Sequence, residues 1–179
     1  MEHRNQIQVN TPRVMFAAMR SGSGKTTVTC GVLAALKKEN IRMQAYKCGP
    51  DYIDPMFHRT VLGIDTGNLD TFFADADAIG RILARDTKNA ELIVMEGVMG
   101  YYDGVGGTTT MASSYELSKD TKTPVVLIVD AKGASVTLAA TIRGIMEYKK
   151  DSRIAGVILN RVSPMFYSRI KHVIETECG

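Results

Sequence analysis

A chain of 179 residues with 45% hydrophobic residues can bury one core, so we expect a single domain. The 22 basic and 19 acidic residues form no long run of either sign, and the formal net charge of +3 argues for no particular polyanion as partner. No apolar stretch is long enough to span a membrane, residues 1–13 lack the apolar middle of a secretory signal, and three cysteines without metal-ligand spacing are interpreted as reduced thiols, so we expect a cytoplasmic protein.

Short apolar segments alternate with helical patterns along the chain. The apolar segments are too continuous for half-exposed strands, which predicts strands buried on both faces. Strands are predicted at 13–19, 41–47, 91–96, 124–130 and 154–160. Helices that connect parallel strands are predicted at 25–40, 75–87, 110–120, 134–150 and 164–177. The alternation predicts an α/β fold with a doubly wound, mostly parallel sheet, in which ligands bind beyond the carboxyl ends of the strands.

The first predicted strand is followed by the glycine-rich segment AMRSGSGKTT, residues 18–27. Such a loop lets backbone N–H groups converge on phosphate oxygens, and the helix that begins near Lys25 adds the positive end of its dipole. Lys25 would reach the outer phosphates of a nucleoside triphosphate, and Thr26 would offer its hydroxyl to Mg²⁺. The strict pattern has a glycine where this chain has Met19, and Ala18 fits a loop one residue longer. A Gly/Ser turn that merely precedes a lysine is the alternative.

The second predicted strand leads into KCGPDYIDPMFH, residues 47–58. Two like charges about 4 Å apart near a protein surface repel by roughly 4 kcal/mol, so carboxylates beside a triphosphate require a cation. We therefore predict that Asp51 binds a shared Mg²⁺. Asp54 could instead cap a helix that has Pro55 at its first position. Lys47, at the strand end, would place positive charge beside a transferred phosphoryl group, or is an ordinary solvated lysine.

The third motif is ELIVMEGVMGYYDG, residues 91–104. Glu96 ends an apolar strand, which places its carboxylate at the ligand edge of the sheet, where it can hold Mg²⁺ directly or through water. An acidic residue at a strand end can also merely cap the following turn. Gly97 and Gly100 let this loop approach a ligand closely. For Asp103 a role in the site and a role in the turn are both open.

Six segments, in this order and spacing, resemble the ATP-binding synthetase part of the cobyrinic acid a,c-diamide synthase family, which is related to dethiobiotin synthetase. They are SGSGKTTVT, KCGPDYIDPMFHR, GNLDTFF, MEGVMGYYDG, VDAKGAS and GVILNRV. The resemblance implies a fold of the P-loop NTPase type. It also implies ATP-dependent amidation of the a and c acetate carboxylates of a corrin precursor in cobalamin biosynthesis. In this family ATP converts each carboxylate to an acyl phosphate, which ammonia then attacks.

The resemblance assigns catalytic and nucleotide-binding roles to particular residues. It implies that Thr26, Asp51 and Glu96 surround Mg²⁺. Lys25 and Lys47 would stabilise the transferring phosphoryl group by positioning and charge neutralisation. The residues implied to hold ATP through its phosphates are Ser21, Gly22, Ser23, Gly24, Lys25, Thr26 and Thr27.

Roles around the acceptor and the adenine are also implied by the resemblance. Asp54 and Asp103 would lie near the acceptor or support the catalytic loops. Tyr52 and Asp70 would do the same, with ordinary packing or turn roles as the alternatives. Asn160 matches a position where related synthetases bind adenine through an amide, although an asparagine at a strand end is also a common turn residue.

Members of this family continue into a glutaminase domain that is not in this sequence. We therefore expect residues 1–179 to be an ATP-binding amidoligase domain without its C-terminal glutaminase domain. Cys178 lacks the strand and helix that flank a nucleophile elbow, so no turnover of glutamine is expected. The expected partners are a tetrapyrrole polycarboxylate and the missing glutaminase domain, with no nucleic acid and no membrane. Related partitioning ATPases carry a lysine at the place of Arg20, which leaves a homodimer open.

Two alternative functions remain from the sequence. The same fold and chemistry could act on another tetrapyrrole, as in the related nickel-sirohydrochlorin a,c-diamide synthase. The chain could instead be a nucleotide-switched ATPase of the partitioning kind, which dimerises with ATP on a membrane or on DNA. The segment GPDYIDP and the lack of a basic patch or a terminal amphipathic helix argue against the switch.

Overall fold

The structure is a computed structural model that describes residues 9–179. Its strands are β1 (Arg13–Ala18), β2 (Met43–Cys48), β3 (Thr66–Leu69), β4 (Leu92–Glu96), β5 (Val125–Asp130) and β6 (Ile154–Asn160). Its α-helices are α1 (Lys25–Lys38), α2 (Ile53–Phe57), α3 (Ala76–Asp86), α4 (Ser114–Asp120), α5 (Thr137–Glu147) and α6 (Pro164–Cys178). A π-helical turn (His58–Leu62) continues α2, and a short 3₁₀ turn covers Val105–Gly107.

The six strands form one parallel sheet in the order β3-β2-β4-β1-β5-β6. Alternate residues of β1 belong to two different cores: Met15 packs on one face of the sheet, and Phe16 packs on the other beside Leu33 of α1. Helices therefore cover both faces, as parallel strands require. The predicted doubly wound α/β fold is confirmed.

Strand β6 corrects one part of the sequence prediction. It lies at the edge of the sheet, pairs only with β5 within the described chain, and is half-exposed along most of its length. The prediction that residues 154–160 are buried on both faces is therefore wrong. Position in the sheet decides burial here, because the apolar pattern of an edge strand and a central strand can be the same.

Two elements were not predicted from the sequence. Strand β3 contains a glycine and an asparagine, which are poor strand formers, and it exists because its backbone pairs with β2. Helix α2 entered only as the alternative in which Pro55 begins a helix, because α2 and its π-helical turn together span 53–62, too short for a clear helical period. One predicted helix is shorter than expected. Helix α4 begins at Ser114 rather than at residue 110, because Ser113 accepts the N–H of Glu116 and caps the helix.

The strand order places several loops at one edge of the sheet. Strand β1 lies between β4 and β5, so the loop after β1 is flanked by the carboxyl ends of both. Strand β2 adjoins β4 on the far side, with Lys47 in register with Glu96. Among residues 9–179 we find no helix long and apolar enough to cross a lipid bilayer.

Candidate active site

The glycine-rich loop between β1 and α1 has the geometry of an anion site. Gly22 and Gly24 have φ of 77° and 97°, in the left-handed region that favours glycine. The first turn of α1 has no acidic residue and no side-chain cap, so its N–H groups remain available to a ligand. Ser23 is buried, and its hydroxyl donates to the carbonyl of Arg20, which tightens the loop from inside.

Asn160, at the end of β6, braces this loop. Its Nδ2 donates to the carbonyl of Ser23 at 2.9 Å, and its Oδ1 accepts the N–H of Arg161. A Cβ atom added to Gly24 would lie 2.3 Å from the Nδ2 atom of Asn160. The side-chain amide thus supports the loop directly, and adenine binding by Asn160 stays a prediction.

This packing leads to a test with a matched control. Replacing Gly24 with alanine should lower the free energy of unfolding more than replacing Gly22, because both have positive φ but only Gly24 lacks space for a methyl group. Urea unfolding of both variants measures the difference. The double variant Gly24→Ala/Asn160→Ala should recover part of the loss. Equal losses for the two glycines would show that the Asn160 contact is unimportant.

An ion pair beside the loop was missed in the sequence analysis. The guanidinium of Arg161 donates to both carboxylate oxygens of Asp130 and, at 3.1 Å, to the carbonyl of Gly22. The N–H of Lys132 and then Arg161 hold the pKa of Asp130 below its ordinary value. Arg20 also contacts Asp130, at 3.5 Å within the same chain. The available signal was an acidic residue at the end of the predicted strand 124–130.

Lys25 reaches across to the loop that follows β4. Its Nζ donates to the carbonyl of Met99 at 2.6 Å. Burial and then the nearby charge of Lys47 lower the pKa of Lys25. Asp103 accepts the N–H of Gly100 at 2.9 Å, so the turn role is observed for this carboxylate.

Lys47 is the positive group that the carboxylates face in this structure. Its side chain is 5% exposed, and its Nζ lies 3.0 Å from Glu96 and 2.5 Å from Asp54, with Asp51 at 3.7 Å. Burial opposes the charge of Lys47, but Glu96 and Asp54 outweigh it and raise the pKa. The strand continues to Cys48, and the alternative of a solvated strand-end lysine is wrong.

In the loop after β2, Asp51 rather than Asp54 lies at the start of the following helix. Asp51 Oδ1 accepts the N–H of Ile53 at 2.9 Å, so Asp51 is the carboxylate at the start of α2. Asp54 is the second residue of this helix and Pro55 the third, so the alternative in which Asp54 caps the helix is wrong. Burial acts to raise the pKa of Asp54, but the hydrogen bond and charge of Lys47 outweigh it and lower the pKa.

Lys47, Asp51, Asp54 and Glu96 form a charged cluster, and Glu96 connects it to the glycine-rich phosphate loop between β1 and α1. Thr26 donates its hydroxyl to Glu96 Oε1 at 2.7 Å, and the same oxygen accepts from Lys47. The Glu96 side chain is fully buried, and within the described chain its Oε2 has no hydrogen-bond partner. Glu96, at the end of β4, therefore links the start of α1 to β2, and the alternative of a simple turn cap is wrong.

The residues predicted to hold Mg²⁺ suit such an ion chemically. The Thr26 hydroxyl and the carboxylates of Asp51 and Glu96 are hard oxygen donors, and Oε2 of Glu96 is a buried oxygen that no group in the described part of the chain hydrogen-bonds. Thr26 and Glu96 are in contact, whereas Asp51 is joined to them through Lys47. No group of three His, Cys, Asp or Glu side chains in residues 9–179 is arranged to hold a metal. Water and phosphate oxygens would have to complete the shell, as is usual for Mg²⁺.

His58 is a second group that the sequence analysis missed. It is buried in the π-helical turn, and its Nε2 lies 3.9 Å from Glu96 Oε2. Its position beside KCGPDYIDPMF was visible in the sequence, but no local pattern shows which strand a helical side chain will face.

Comparison with known proteins agrees with the nucleotide-site geometry. A family model described as the CobQ/CobB/MinD/ParA nucleotide binding domain matches residues 14–179. The chain is 44% identical over 165 residues to cobyrinate a,c-diamide synthase of Listeria monocytogenes, which aligns with 91% of this chain. It is 41% identical over 152 residues, or 85% of this chain, to hydrogenobyrinate a,c-diamide synthase of Streptomyces coelicolor. The chain spans 36% and 31% of the lengths of these two relatives.

Solved structures share the fold at low sequence identity. Chloroplast FtsY from Physcomitrella patens superposes with a TM-score of 0.62 at 14% identity, over 95% of this chain and 56% of that one. The hydrogenase maturation factor HypB from Archaeoglobus fulgidus gives 0.57 at 16% identity, over 94% of this chain and 75% of that one. These similarities confirm the predicted P-loop NTPase type of fold.

Proposed function

This chain belongs to the CobQ/CobB/MinD/ParA nucleotide-binding domain family, and from that premise we propose that it is the ATP-binding amidoligase domain of a cobyrinate a,c-diamide synthase. It would phosphorylate the a and c acetate carboxylates of a corrin precursor and present the acyl phosphates to ammonia. One observation carries the proposal: Thr26 of the phosphate loop bonds directly to Glu96, and Glu96 bonds to Lys47. The triphosphate site and the charged cluster are therefore contiguous.

The chain's own groups suit phosphoryl transfer. The loop N–H groups and the start of α1 would hold the triphosphate, and Lys25 would turn from the Met99 carbonyl to its outer phosphates. Mg²⁺ held by Thr26, Asp51 and Glu96 would, when bound, neutralise charge on the phosphates. Lys47 would add positive charge beside the group in transit. Positioning and charge neutralisation are what such a reaction needs from a protein.

The charge of the cluster supports a requirement for a divalent cation. Asp51, Asp54 and Glu96 carry three negative charges and Lys25 and Lys47 two positive ones, so these five groups have a net charge of −1 when all are ionised. A triphosphate would be repelled by that excess at short range. A dication reverses the sign of the site and makes it attractive to the nucleotide.

Exposed apolar side chains beside the site support a large acceptor. Tyr52 and Ile53 follow Asp51 directly and are 81% and 73% exposed, and Phe73 after β3 is 78% exposed. Exposed apolar side chains that lie together commonly mark a binding surface, and Tyr52 and Ile53 are consecutive in the chain. A tetrapyrrole polycarboxylate, with an apolar ring and charged edges, fits such a surface next to lysines.

The remaining parts of the proposal concern context. Since the chain spans about a third of its relatives' length, we assign the supply of ammonia to a glutaminase domain outside residues 1–179. The three cysteines of this chain form no disulfide, which agrees with a cytoplasmic setting; they are Cys30, Cys48 and Cys178. We propose no nucleic acid or membrane partner, and a homodimer remains open.

The test is acceptor-dependent release of phosphate. The purified chain is incubated with Mg·ATP, ammonium and cobyrinate, and we expect phosphate release together with amide formation detected by mass spectrometry. Glutamine in place of ammonium should give no turnover. Preference for nickel-sirohydrochlorin as acceptor would transfer the proposal to that substrate. ATP-dependent dimerisation in light scattering, with phosphate release indifferent to acceptors, would instead favour the partitioning-type switch.

A further inference from the structure

His58 lies directly behind the charged cluster. It is 1% exposed, and it begins a π-helical turn whose first carbonyl accepts the N–H of Ile64. Turns of this kind are rare and occur frequently at functional sites. The imidazole lies between α1 and β3, with Nε2 3.4 Å from the Cys30 sulfur and Nδ1 3.4 Å from the Thr66 hydroxyl.

Glu96 supplies the second, independent observation. One of its oxygens accepts from Thr26 and Lys47, while the other, Oε2, is buried and has no hydrogen-bond partner among residues 9–179. A buried carboxylate oxygen without a hydrogen bond is costly. The nearest imidazole nitrogen is Nε2 of His58, at 3.9 Å. This is about 1 Å longer than a hydrogen bond, so the bond that we propose requires the two side chains to move closer together.

The position of the proton on the His58 ring decides whether the ring can donate to Glu96. A proton on Nε2 is carried by the charged ring and by one of the two neutral tautomers, but not by the tautomer that is protonated on Nδ1. Thr66 can accept from Nδ1 or donate to it, and Cys30 can likewise serve Nε2 in either role. Only the tautomer with the proton on Nε2 offers a donor to Glu96. With the proton on Nδ1, two lone pairs would face each other in a buried space.

We propose that His58 is a positioning residue that donates its Nε2–H to Oε2 of Glu96 and so directs Oε1 toward Thr26. The oxygen of Glu96 that does not face Thr26 then accepts a hydrogen bond from the protein, as is usual for carboxylates that bind metals. This role rests on the proposed function to the extent that Glu96 belongs to the Mg²⁺ site. The proposed hydrogen bond between His58 and Glu96 does not require nucleotide and is tested separately.

The first test reads the tautomer in the ligand-free protein. A long-range ¹H–¹⁵N correlation spectrum of protein labelled at histidine distinguishes the two neutral forms, and the His58→Phe spectrum identifies the signal. We expect the proton on Nε2. A proton on Nδ1 would overturn the proposal. This result does not depend on ATP binding, so it stands even if the proposed function fails.

The second test is a double-mutant cycle on Mg·ATP affinity, measured by calorimetry. His58→Phe should weaken the Mg²⁺-dependent affinity about tenfold in the wild-type background. In the Glu96→Gln background the same change should have a much smaller effect, because His58 acts through Glu96. Equal losses in both backgrounds would assign His58 a packing role and overturn the proposal.

Two further variants separate positioning from packing. His58→Gln keeps an N–H donor and should recover part of the affinity, whereas His58→Phe keeps only the ring volume. Cys30→Ala removes the other neighbour of Nε2 and should leave the affinity nearly unchanged. A loss with Cys30→Ala as large as with His58→Phe would contradict a specific link to Glu96. Failure of the wild type to bind Mg·ATP would refute the proposed function, and the tautomer would then decide the contact alone.

Discussion

Replacing Lys47 with methionine is expected to lower the free energy of unfolding by about 3–5 kcal/mol. Methionine fills a similar volume, but it leaves the buried carboxylate of Glu96 and the adjacent Asp54 without their cation. An uncompensated buried charge is far more costly than the loss of a surface ion pair. Urea unfolding at pH 7 measures the change.

Lys37→Met is the matched control for this variant. The Lys37 ammonium is exposed and bonds to the neutral carbonyls of Leu62 and Gly63, so its removal leaves no charge unpaired. We expect a much smaller loss of stability. A loss equal to that of Lys47→Met would mean that the carboxylates gain little from Lys47.

The effect of Lys47→Met should depend on pH in a defined direction. Lys47 lowers the pKa of Asp54, so the stability from this pair is present above the unfolded pKa of an aspartate and is lost as pH falls through the folded value. The pKa of Lys47 is raised, so its contribution persists until the pH rises through that value. The difference in free energy of unfolding between the wild type and Lys47→Met should therefore become smaller below about pH 4. A constant gap from pH 7 to pH 3 would contradict this account.

Asp51→Asn is expected to reduce acceptor-dependent phosphoryl transfer by roughly 10²–10³-fold, a loss typical of removing one group that stabilises transition-state charge. Asparagine keeps the Oδ1 atom that accepts the N–H of Ile53, so the start of α2 should survive. Only the negative charge that would help to hold Mg²⁺ is lost. ATP affinity, measured by calorimetry, should fall far less than the rate of phosphate release.

The control for Asp51→Asn is Asp75→Asn. Asp75 also has a carboxylate at the start of a helix, accepting the N–H of Ala78 in α3, and it has no part in the charged cluster. Its replacement should affect stability slightly and phosphoryl transfer little. If Asp51→Asn lowers binding and transfer equally, Asp51 has a structural role.

Local patterns in the chain were enough for the strands of the central sheet and for the phosphate loop. Strands β1, β4 and β5 are apolar on both faces, and AMRSGSGKTT joins the first of them to a helix. Both signals depend on residues close in sequence, which is why they can be read without a structure. The convergence of Lys25, Thr26 and Glu96 at one sheet edge followed from the general rule for parallel sheets.

The partners within the site depended on contacts between segments far apart in sequence. Lys47 meets Glu96 because β2 lies beside β4. Asn160 reaches Ser23 because β6 is parallel to the other strands, so its carboxyl end lies at the same edge of the sheet as the loop after β1. The π-helical turn that buries His58 behind Glu96 has no periodic signal in so short a segment. Residue types and spacing decide which elements form and which groups stand at their ends. The order of the strands decides which of those groups touch. Strands pair through backbone hydrogen bonds that depend little on side-chain type, so the sequence of a strand does not reveal which strand lies beside it.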